Sequence, residues 1–382
     1  MSKKLAIIGA SDFQNPLILK AKQLGFETHV FAWECGDIGE RTADYFYPIS
    51  ITEIDQIAEK CRSIGVDGIC SIGTDLGNIT VSKVADKLDL CANSLECIKA
   101  STNKHLMREA FFKNGDPSPK SYQVSDVSDV DILDLNYPII VKPVDRSGSR
   151  CITKLQSSEG LEDAVRSAID VSFSKACVVE EFFTGIEYSV EFISWKGEHH
   201  FLALTRKFTT GSPHFIETGH LQPAPVSDSL RTRIIQVVSH ALDSLGVEYG
   251  ASHSEILVNE NEDIRIVEIG SRMGGDCIGS DLVELSTGVD FLGAVISVAT
   301  GREPDLSVSE HPECAMIRFI FDGEDLAMLR QAECDRSVRV ERSSVDNDME
   351  HEIVDSGSRY GFYILTSDSI DNLEKYLPKR GV

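Results

Sequence analysis

The sequence carries little positive charge. Lysine and arginine together number 37 against 61 aspartates and glutamates, which gives the 382-residue chain a formal net charge of −24 at pH 7. A surface with that balance repels the phosphate backbone of nucleic acids and the head groups of anionic lipids. We therefore expect neither a nucleic acid nor a membrane as a partner, although a local cluster of lysine and arginine can still bind a small anion.

The sequence also lacks the cysteine patterns of metal and disulfide sites. Its ten cysteines are scattered, without a C-x-x-C pair or a Cys/His pair at zinc spacing. No run of about 18 apolar residues would suit a membrane-spanning helix. The apolar run Leu5–Ala10 near the start is too short for the core of a signal peptide. We expect a cytoplasmic protein with reduced thiols.

The first hundred residues alternate between strand-like and helix-like segments. Leu5–Gly9 predicts a buried strand, Pro16–Leu24 a helix and Thr28–Ala32 a second strand, and the alternation continues to about residue 100. This βαβ rhythm predicts an α/β domain with a Rossmann-like parallel sheet over residues 1–102. The first turn lacks G-x-G-x-x-G, so we interpret Gly9 as permitting a tight turn rather than marking a dinucleotide site.

The pattern changes after residue 102 to mixed strands and helices. A proline-rich link at 116–119 precedes apolar strands, and the last eighty residues combine short strands with a closing helix. We expect two α+β units here. The larger spans 103–301, with a small lobe at about 115–182, and the other is a small C-terminal lid at 302–382.

The sharpest signal is a predicted hairpin that carries two glutamates. Residues 252–258 and 264–269 read as strands around the polar turn Glu260–Asp263, and this turn sets Glu255 opposite Glu268. Like charges about 5 Å apart are destabilising unless one is protonated or a cation lies between them. Because Mg²⁺ is usually held by one or two carboxylates plus phosphate oxygens, the pair predicts a magnesium site. The alternative is a shifted register in which both glutamates reach solvent.

A turn with an arginine and several glycines, Gly270–Asp276, follows the second glutamate directly. A guanidinium at Arg272 suits a phosphate or a developing oxyanion, and glycines let the backbone approach it closely. The alternative is a surface arginine in an ordinary turn.

No G-x-x-x-x-G-K-[ST] motif occurs, but another set of residues suits a nucleotide. Lys142 ends an apolar strand, where an anion would compensate its charge, and the loop Ser147-Gly148-Ser149 can present backbone N–H groups to phosphate. The strand ending in Glu180-Glu181-Phe182, followed by Glu187, offers an apolar edge for adenine and acceptors for ribose hydroxyls. Taken singly, each of these residues is more often a strand-end charge in solvent. Their order along the chain favours nucleotide binding.

That order resembles the ATP-grasp superfamily and, within it, the L-amino-acid ligases of the bacilysin-synthetase type. The resemblance runs from about residue 1 to residue 370, and its anchors are Asn103–Arg108, Ile139–Pro143, Val179–Glu187, His253–Glu255 and Glu268–Gly275. It implies ATP held between two α+β lobes, with residues 103–301 as the ATP-grasp domain.

The resemblance also implies individual roles. The residues implied to contact ATP are Lys104 and Lys142 on phosphates, Glu180 and Phe182 on adenine, and Glu187 on ribose. Glu255 and Glu268 would hold Mg²⁺, with Mn²⁺ as an expected substitute, and Arg272 would face the transferred phosphate and the acyl intermediate. Many ATP-grasp enzymes have asparagine two residues after the second metal-binding glutamate. Here Gly270 occupies that position, which leaves the number of metal ions open.

Residues 206–220 are polar and glycine-bearing, which predicts a long loop or lid. The resemblance implies that Glu217 and His220 lie near an amino-acid substrate and that Lys207 is a mobile-loop lysine. The alternative is an ordinary connector with solvated side chains. Further candidates for substrate contacts, which would make the pocket anionic, are Asp75 and Asp276, and a last candidate is His214.

These inferences predict an ATP-dependent carboxylate–amine ligase that forms an acyl phosphate and joins two amino acids, releasing ADP and phosphate. One alternative is a carboxylating or purine-pathway ATP-grasp enzyme. Another is a nucleotide-binding regulator without catalysis. The expected partners are small molecules, and the oligomeric state is left open, a homodimer included.

Overall fold

The computed structural model describes residues 3–148, 150–212, 214–308, 312–346 and 348–379. Within these residues the strands form three sheets, of which the first is parallel. Its order is β3-β2-β1-β4, and its strands are β1 (Lys4–Ile8), β2 (Glu27–Phe31), β3 (Tyr45–Tyr47) and β4 (Gly68–Cys70). The central strands are almost wholly buried, as apolar strands in a parallel sheet are expected to be.

Helices connect these strands and cover the sheet. They are α1 (Asn15–Gln23), α2 (Ile38–Thr42), α3 (Ile54–Ile64), α4 (Asp75–Leu88) and α5 (Leu95–Thr102). Helix α3 buries Ile57, Ala58 and Cys61 at helical spacing and ends at Gly65. Gly9, at the end of β1, has a φ of 101°, so the tight turn there favours glycine, in line with the sequence interpretation.

A small antiparallel sheet follows, in the order β5-β8-β6-β7. Its strands are β5 (Ser121–Val124), β6 (Ile139–Pro143), β7 (Thr153–Leu155) and β8 (Cys177–Glu181). Helix α6 (Lys104–Asn114) leads into it, and the Asn103 side chain caps this helix by accepting from the N–H groups of its first turn. Helix α7 (Leu161–Val171) packs on the sheet through its apolar face.

The third sheet is antiparallel, in the order β13-β12-β9-β10-β11-β14-β16-β15. Its first strands are β9 (Ile186–Trp195), β10 (Glu198–Thr209), β11 (Glu217–Gln222), β12 (Tyr249–Val258) and β13 (Ile264–Gly270). The C-terminal residues add β14 (Cys314–Phe319), β15 (Arg339–Val345) and β16 (Gly361–Ser367). Because β14 pairs with β11, the C-terminal strands continue the large sheet and bring their loops to its open face.

The remaining helices pack around this sheet. They are α8 (Asp228–Ser244), α9 (Val283–Thr287), α10 (Phe291–Ala299), α11 (Gly323–Cys334) and α12 (Ile370–Glu374). The predicted fold class, a parallel α/β domain followed by α+β units, is confirmed. In the described part of the chain, no helix combines the length and apolar character needed to cross a membrane.

Both ends of the segment predicted as a long loop at 206–220 are strand, so the loop is shorter than predicted and its predicted extent was wrong. Strand β10 continues to Thr209, β11 begins at Glu217, and Lys207 pairs with His220 across the two strands. Polar side chains suggested a loop because they are rare in buried strands, but here they pair with one another inside a cleft. Lys207 is therefore fixed on a strand rather than carried by a mobile loop.

The two glutamates of the β12–β13 hairpin lie opposite one another, as the predicted register requires. The hairpin reaches this pairing by a different route. Val258 pairs with Ile264, which shifts the register by one residue, and a bulge at Val267 shifts it back before Glu268. The bulge also turns the side chain of Val267 to the cleft while Ile266 stays in the core.

Candidate functional site

A cleft of about 710 Å³ lies between the small antiparallel sheet and the large sheet. This volume is within the range of small-molecule sites. The cleft collects predicted residues from the middle of the chain, namely Lys104, Lys142, Ser147, Gly148, Phe182, Glu187, Lys207, Glu217, His220, Glu255, Glu268, Arg272 and Asp276. Segments separated by more than 150 residues thus meet at one surface.

A few predicted residues lie elsewhere. The side chains of Glu180, Glu181 and His214 do not line the cleft, and His214 is exposed to solvent. Asp75 reaches the site only through a partner that does line it. Ser149 lies outside the described residues. The predicted contacts of Glu181 with ATP and of His214 with substrate therefore gain no support from the geometry.

Glu180, predicted to contact adenine, instead holds two cations. Its carboxylate is buried and accepts from the Arg108 Nε at 2.8 Å and from the Lys142 Nζ at 2.8 Å. Burial favours the neutral acid, but the two cations outweigh it and lower the pKa of Glu180 to about 2. The carboxylate therefore fixes the ammonium of Lys142 at the cleft, and the adenine assignment is corrected.

Lys207 lies at the centre of a carboxylate cluster. Its Nζ is 2.6 Å from an oxygen of Glu187, 3.8 Å from one of Glu217, and in contact with Glu255. Burial alone would favour the neutral amine, but these carboxylates outweigh it and raise the pKa of Lys207 well above its usual value. The lysine is a fixed positive charge that compensates several acids at once.

Glu268 has a separate partner. Its Oε1 is 2.9 Å from the Nζ of the buried Lys104, which also donates to the main-chain oxygen of Arg146. Each member of the opposed pair Glu255 and Glu268 thus contacts a lysine ammonium, which offsets the repulsion between the two carboxylates.

The donor set at this pair fits a divalent cation with an incomplete protein shell. Two opposed carboxylates offer hard oxygen ligands at the cleft surface, as Mg²⁺ prefers. Among the described residues, no group of three or more His, Cys, Asp or Glu side chains is arranged to hold a metal. A metal bound here would need oxygen atoms from a ligand in the cleft to complete its coordination.

Gly270 accounts for part of this small donor set. A Cβ atom at this position would lie 3.3 Å from the Cζ atom of Arg272, closer than most real contacts of a Cβ. An asparagine here would crowd the guanidinium. The glycine therefore gives space to Arg272 at the expense of a third oxygen ligand.

A buried pair beside Glu255 escaped the sequence analysis. Glu191 on β9 lies opposite His253 on β12, and its Oε1 is 2.6 Å from the His253 Nδ1. Burial lowers the basicity of the ring, but Glu191 and Glu255 outweigh it and raise the pKa of His253 to about 9. His253 belongs to the motif His253-Ser-Glu255 that the sequence analysis identified. Glu191 belongs to no motif in the sequence, so the pair could not be predicted.

The backbone of the 270–276 turn packs directly on this pair at Gly274. A Cβ there would lie 2.7 Å from the His253 Nδ1 and 3.2 Å from a Glu191 oxygen, whereas at Gly275 the nearest atom is 3.6 Å away. We expect Gly274→Ala to lower the free energy of unfolding by about 1–3 kcal/mol, because the histidine ring cannot move away. Gly275→Ala should change it by less than about 0.5 kcal/mol. Denaturant unfolding of both variants measures this, and equal stabilities would contradict the packing argument.

Arg272 is held by an acid from the N-terminal domain. Its Nε donates to the Oδ1 of Asp75 at 2.7 Å, and its Nη1 donates to the main-chain oxygen of Met273. Burial of Asp75 favours its neutral form, but Arg272 outweighs this and lowers the pKa of Asp75. Because Asp75 is the first residue of α4, the parallel domain directly sets the position of the guanidinium in the cleft.

The same end of the cleft has a second ion pair that the sequence analysis missed. Arg359 donates from Nη2 to the Oδ1 of Asp276 at 2.6 Å and from Nη1 to the Oδ2 at 3.0 Å. The neighbouring Ser356 donates its hydroxyl proton to the Glu217 carboxylate. The expectation of an anionic pocket is corrected, because Asp75 and Asp276 each have an arginine partner and Glu217 lies near Lys207.

His220 is the exception in this charged environment. It is fully buried in the wall of the cleft, neither ring nitrogen has a hydrogen-bond partner, and the nearest carboxylate oxygen, of Asp276, is 3.8 Å from Nε2. Burial is the largest influence and lowers the pKa of His220 despite that acid. The ring is therefore neutral at pH 7, with a nitrogen available to accept a proton.

The other end of the cleft is apolar and basic. Phe182 lines it together with Ile140, and the Lys154 ammonium lies 3.7 Å from the centre of the Phe182 ring. Arg146 and Arg150, on either side of the glycine loop, also line the cleft. The basic composition of this loop was visible in the sequence, although neither arginine was singled out.

Comparison with known proteins shows which proteins the chain is similar to. Residues 135–280 match the family model described as ATP-grasp domain. The chain is 26% identical over 247 residues to a protein of Bacillus subtilis (strain 168) named alanine–anticapsin ligase, which covers 58% of this chain and 52% of that protein. The chain therefore spans about half the length of this relative.

Solved structures share the fold along nearly the whole chain. An L-amino acid ligase from Bacillus licheniformis superimposes with a TM-score of 0.82 at 23% identity, covering 98% of this chain and 96% of that one. N5-carboxyaminoimidazole synthetase from Staphylococcus aureus, solved with ADP, does so with a TM-score of 0.78 at 15% identity and the same coverage of both chains. The architecture is thus common to proteins named for different reactions.

Proposed function

We propose that the chain is an ATP-dependent carboxylate–amine ligase that joins two amino acids, because residues 135–280 match the ATP-grasp model and the chain is similar to alanine–anticapsin ligase in sequence and to an L-amino acid ligase in fold. The observation that carries this proposal is a group of four cations in the cleft that contains the opposed glutamates. These cations are Lys104, Lys142, Lys207 and Arg272. Fixed cations at the surface of a cleft suit a substrate with several phosphates. The named relatives support amino acids as the other substrates.

ATP would lie with its adenine at the apolar end of the cleft, against Phe182 and Ile140. Lys104 and Lys142 would contact its phosphates, and the loop at Gly148, whose φ is 74°, would offer backbone N–H groups. Glu187 would accept from the ribose hydroxyls. The Glu187 carboxylate contacts Lys207 in the structure. When ATP is bound, we expect this carboxylate to contact both Lys207 and the ribose hydroxyls.

Glu255 and Glu268 would hold Mg²⁺, with Mn²⁺ as a substitute, since their opposed carboxylates suit a hard cation. Such a cation supplies neutralisation of the charge that develops on transferred phosphate oxygens. Lys104 and Lys207 hold the two carboxylates in place before the nucleotide arrives.

In the first step, a substrate carboxylate oxygen attacks the γ-phosphorus, and the bond to the β-γ bridging oxygen breaks to give an acyl phosphate and ADP. In the second step, an amine attacks the acyl carbon and phosphate leaves. Arg272, held by Asp75, would stabilise the oxyanion of the tetrahedral intermediate. The neutral ring of His220 would accept the proton that the attacking amine loses, while Lys207 and Glu217 orient the substrates.

The test is nucleotide turnover by the full chain with amino acids supplied singly and in pairs. We expect ADP and phosphate release that depends on added amino acids, with a dipeptide as the product seen by mass spectrometry. Turnover with bicarbonate or a nucleotide precursor alone would indicate a carboxylating or purine-pathway enzyme. Tight ATP binding without turnover under all conditions would indicate a nucleotide-binding regulator.

A further inference from the structure

A short C-terminal segment, Asp355–Arg359, contacts several walls of the cleft. Asp355 lies 3.4 Å from the Arg150 guanidinium, Ser356 bonds to Glu217, and Arg359 bonds to Asp276. This segment lies outside residues 135–280, which match the ATP-grasp model, so nothing in that match assigns it a role.

The Arg359–Asp276 pair is built with unusual rigidity. Arg359 is 8% exposed, its guanidinium lies 3.5 Å from the centre of the Phe319 ring, and its Nη1 also donates to the main-chain oxygen of Glu217. Asp276 and Cys277 have φ values of 51° and 61°, a costly conformation for residues other than glycine. Two bonds from a fixed guanidinium hold Asp276 in this conformation.

The pair also sets the charge of the substrate end of the cleft. Asp276 lines the cleft, whereas Arg359 lies behind it and does not. Two other cations line this part of the cleft, but Arg272 is already bonded to Asp75, and Lys207 to Glu187 and Glu255. Arg359 is therefore the cation that compensates the charge of Asp276. The side chain of a substrate bound in this pocket would contact a carboxylate whose charge is already neutralised.

We propose that Arg359 is a specificity-determining residue: by neutralising Asp276 from behind, it makes the pocket select an amino acid with a neutral side chain. This inference rests on the proposed ligase function. Without Arg359, the carboxylate of Asp276 would need another cation, and a lysine or arginine substrate would supply one. Without Asp276, the guanidinium would favour an acidic substrate.

The experiment compares kcat/KM for neutral, cationic and acidic amino acids, measured by phosphate release. We expect the wild type to prefer neutral substrates. Arg359→Gln should raise the ratio of kcat/KM for lysine to kcat/KM for alanine about tenfold, and Asp276→Asn should raise the ratio for glutamate to alanine by a similar factor. The double variant should return to a neutral preference. Arg318→Gln is the matched control, since Arg318 on β14 forms a buried pair with Asp325 on α11 and does not line the cleft. This variant should lower the free energy of unfolding without changing the substrate preference.

Each outcome decides one point. An active wild type with the same substrate preference in all variants would overturn the role of Arg359 and leave the ligase function intact. No amino-acid-dependent phosphate release from wild type would overturn the ligase function and this inference with it. If Arg359→Gln does not fold, the predicted shift of Asp276→Asn toward acidic substrates still tests the charge argument. Retention of the neutral preference in that variant would overturn it.

Discussion

Replacing Glu268 or Glu255 with glutamine should reduce Mg²⁺-dependent ADP formation at least about 100-fold, because each change removes one of the two carboxylates proposed to hold the metal. Steady-state turnover as a function of Mg²⁺ concentration measures the loss. Binding of Mn²⁺ in the presence of ADP, followed by electron paramagnetic resonance, provides a second readout and should weaken in both variants. Glu260→Gln, in the exposed turn of the same hairpin, is the control and should behave as wild type.

The two variants should also lose stability without metal. Lys104 would lose the only carboxylate in direct contact with its ammonium among the described residues, and Lys207 would lose one of several. An amide still accepts a hydrogen bond but carries no charge, so we expect a cost of about 1–3 kcal/mol, larger for Glu268→Gln than for Glu255→Gln. Wild-type turnover in either variant would refute the metal assignment, whereas unchanged stability would refute only the lysine pairing.

In the β12–β13 hairpin, the pairing of Glu255 with Glu268 was predicted correctly, although the register nearer the turn was not. The sequence predicted the opposition of Glu255 and Glu268 from the position of a polar turn, and the structure reaches it through a connection one residue shorter than predicted and a compensating bulge at Val267. Alternation of apolar residues reports which face is buried, but a single bulge reverses that alternation without leaving a sequence signal. The parallel domain was easier to predict because its strands and helices are regular.

Residues outside the motifs could not be found in this way. Arg359 and Ser356 reach the cleft only because β16 and β14 extend the large sheet, a long-range pairing that local patterns do not report. The sequence analysis identified Glu180 from its place at the end of a strand. Its side chain contacts Arg108 and Lys142, because a buried carboxylate needs a cation to compensate its charge. In each case the residue type was visible in the sequence and its partner was not.

The final prediction separates binding of ATP from catalysis. Lys142→Ala should weaken ATP binding about tenfold or more, since it removes an ammonium that Glu180 fixes at the cleft. Arg272→Ala should leave the dissociation constant for ATP within about threefold of wild type and lower kcat by roughly 10²–10³, the scale of losing an oxyanion donor. Isothermal titration with a non-hydrolysable ATP analogue and steady-state kinetics measure the two effects.

Asp75→Asn provides the matched control for Arg272. Because Asp75 acts on the cleft only through the guanidinium, its loss should lower kcat less than Arg272→Ala does and leave ATP affinity unchanged. Arg272→Lys should not restore turnover, since an ammonium cannot bond to Asp75 and to a developing oxyanion with the geometry of a planar guanidinium. Equal losses of ATP affinity in Lys142→Ala and Arg272→Ala would instead place Arg272 on the nucleotide, and the charge at the acyl carbon would then need a different donor.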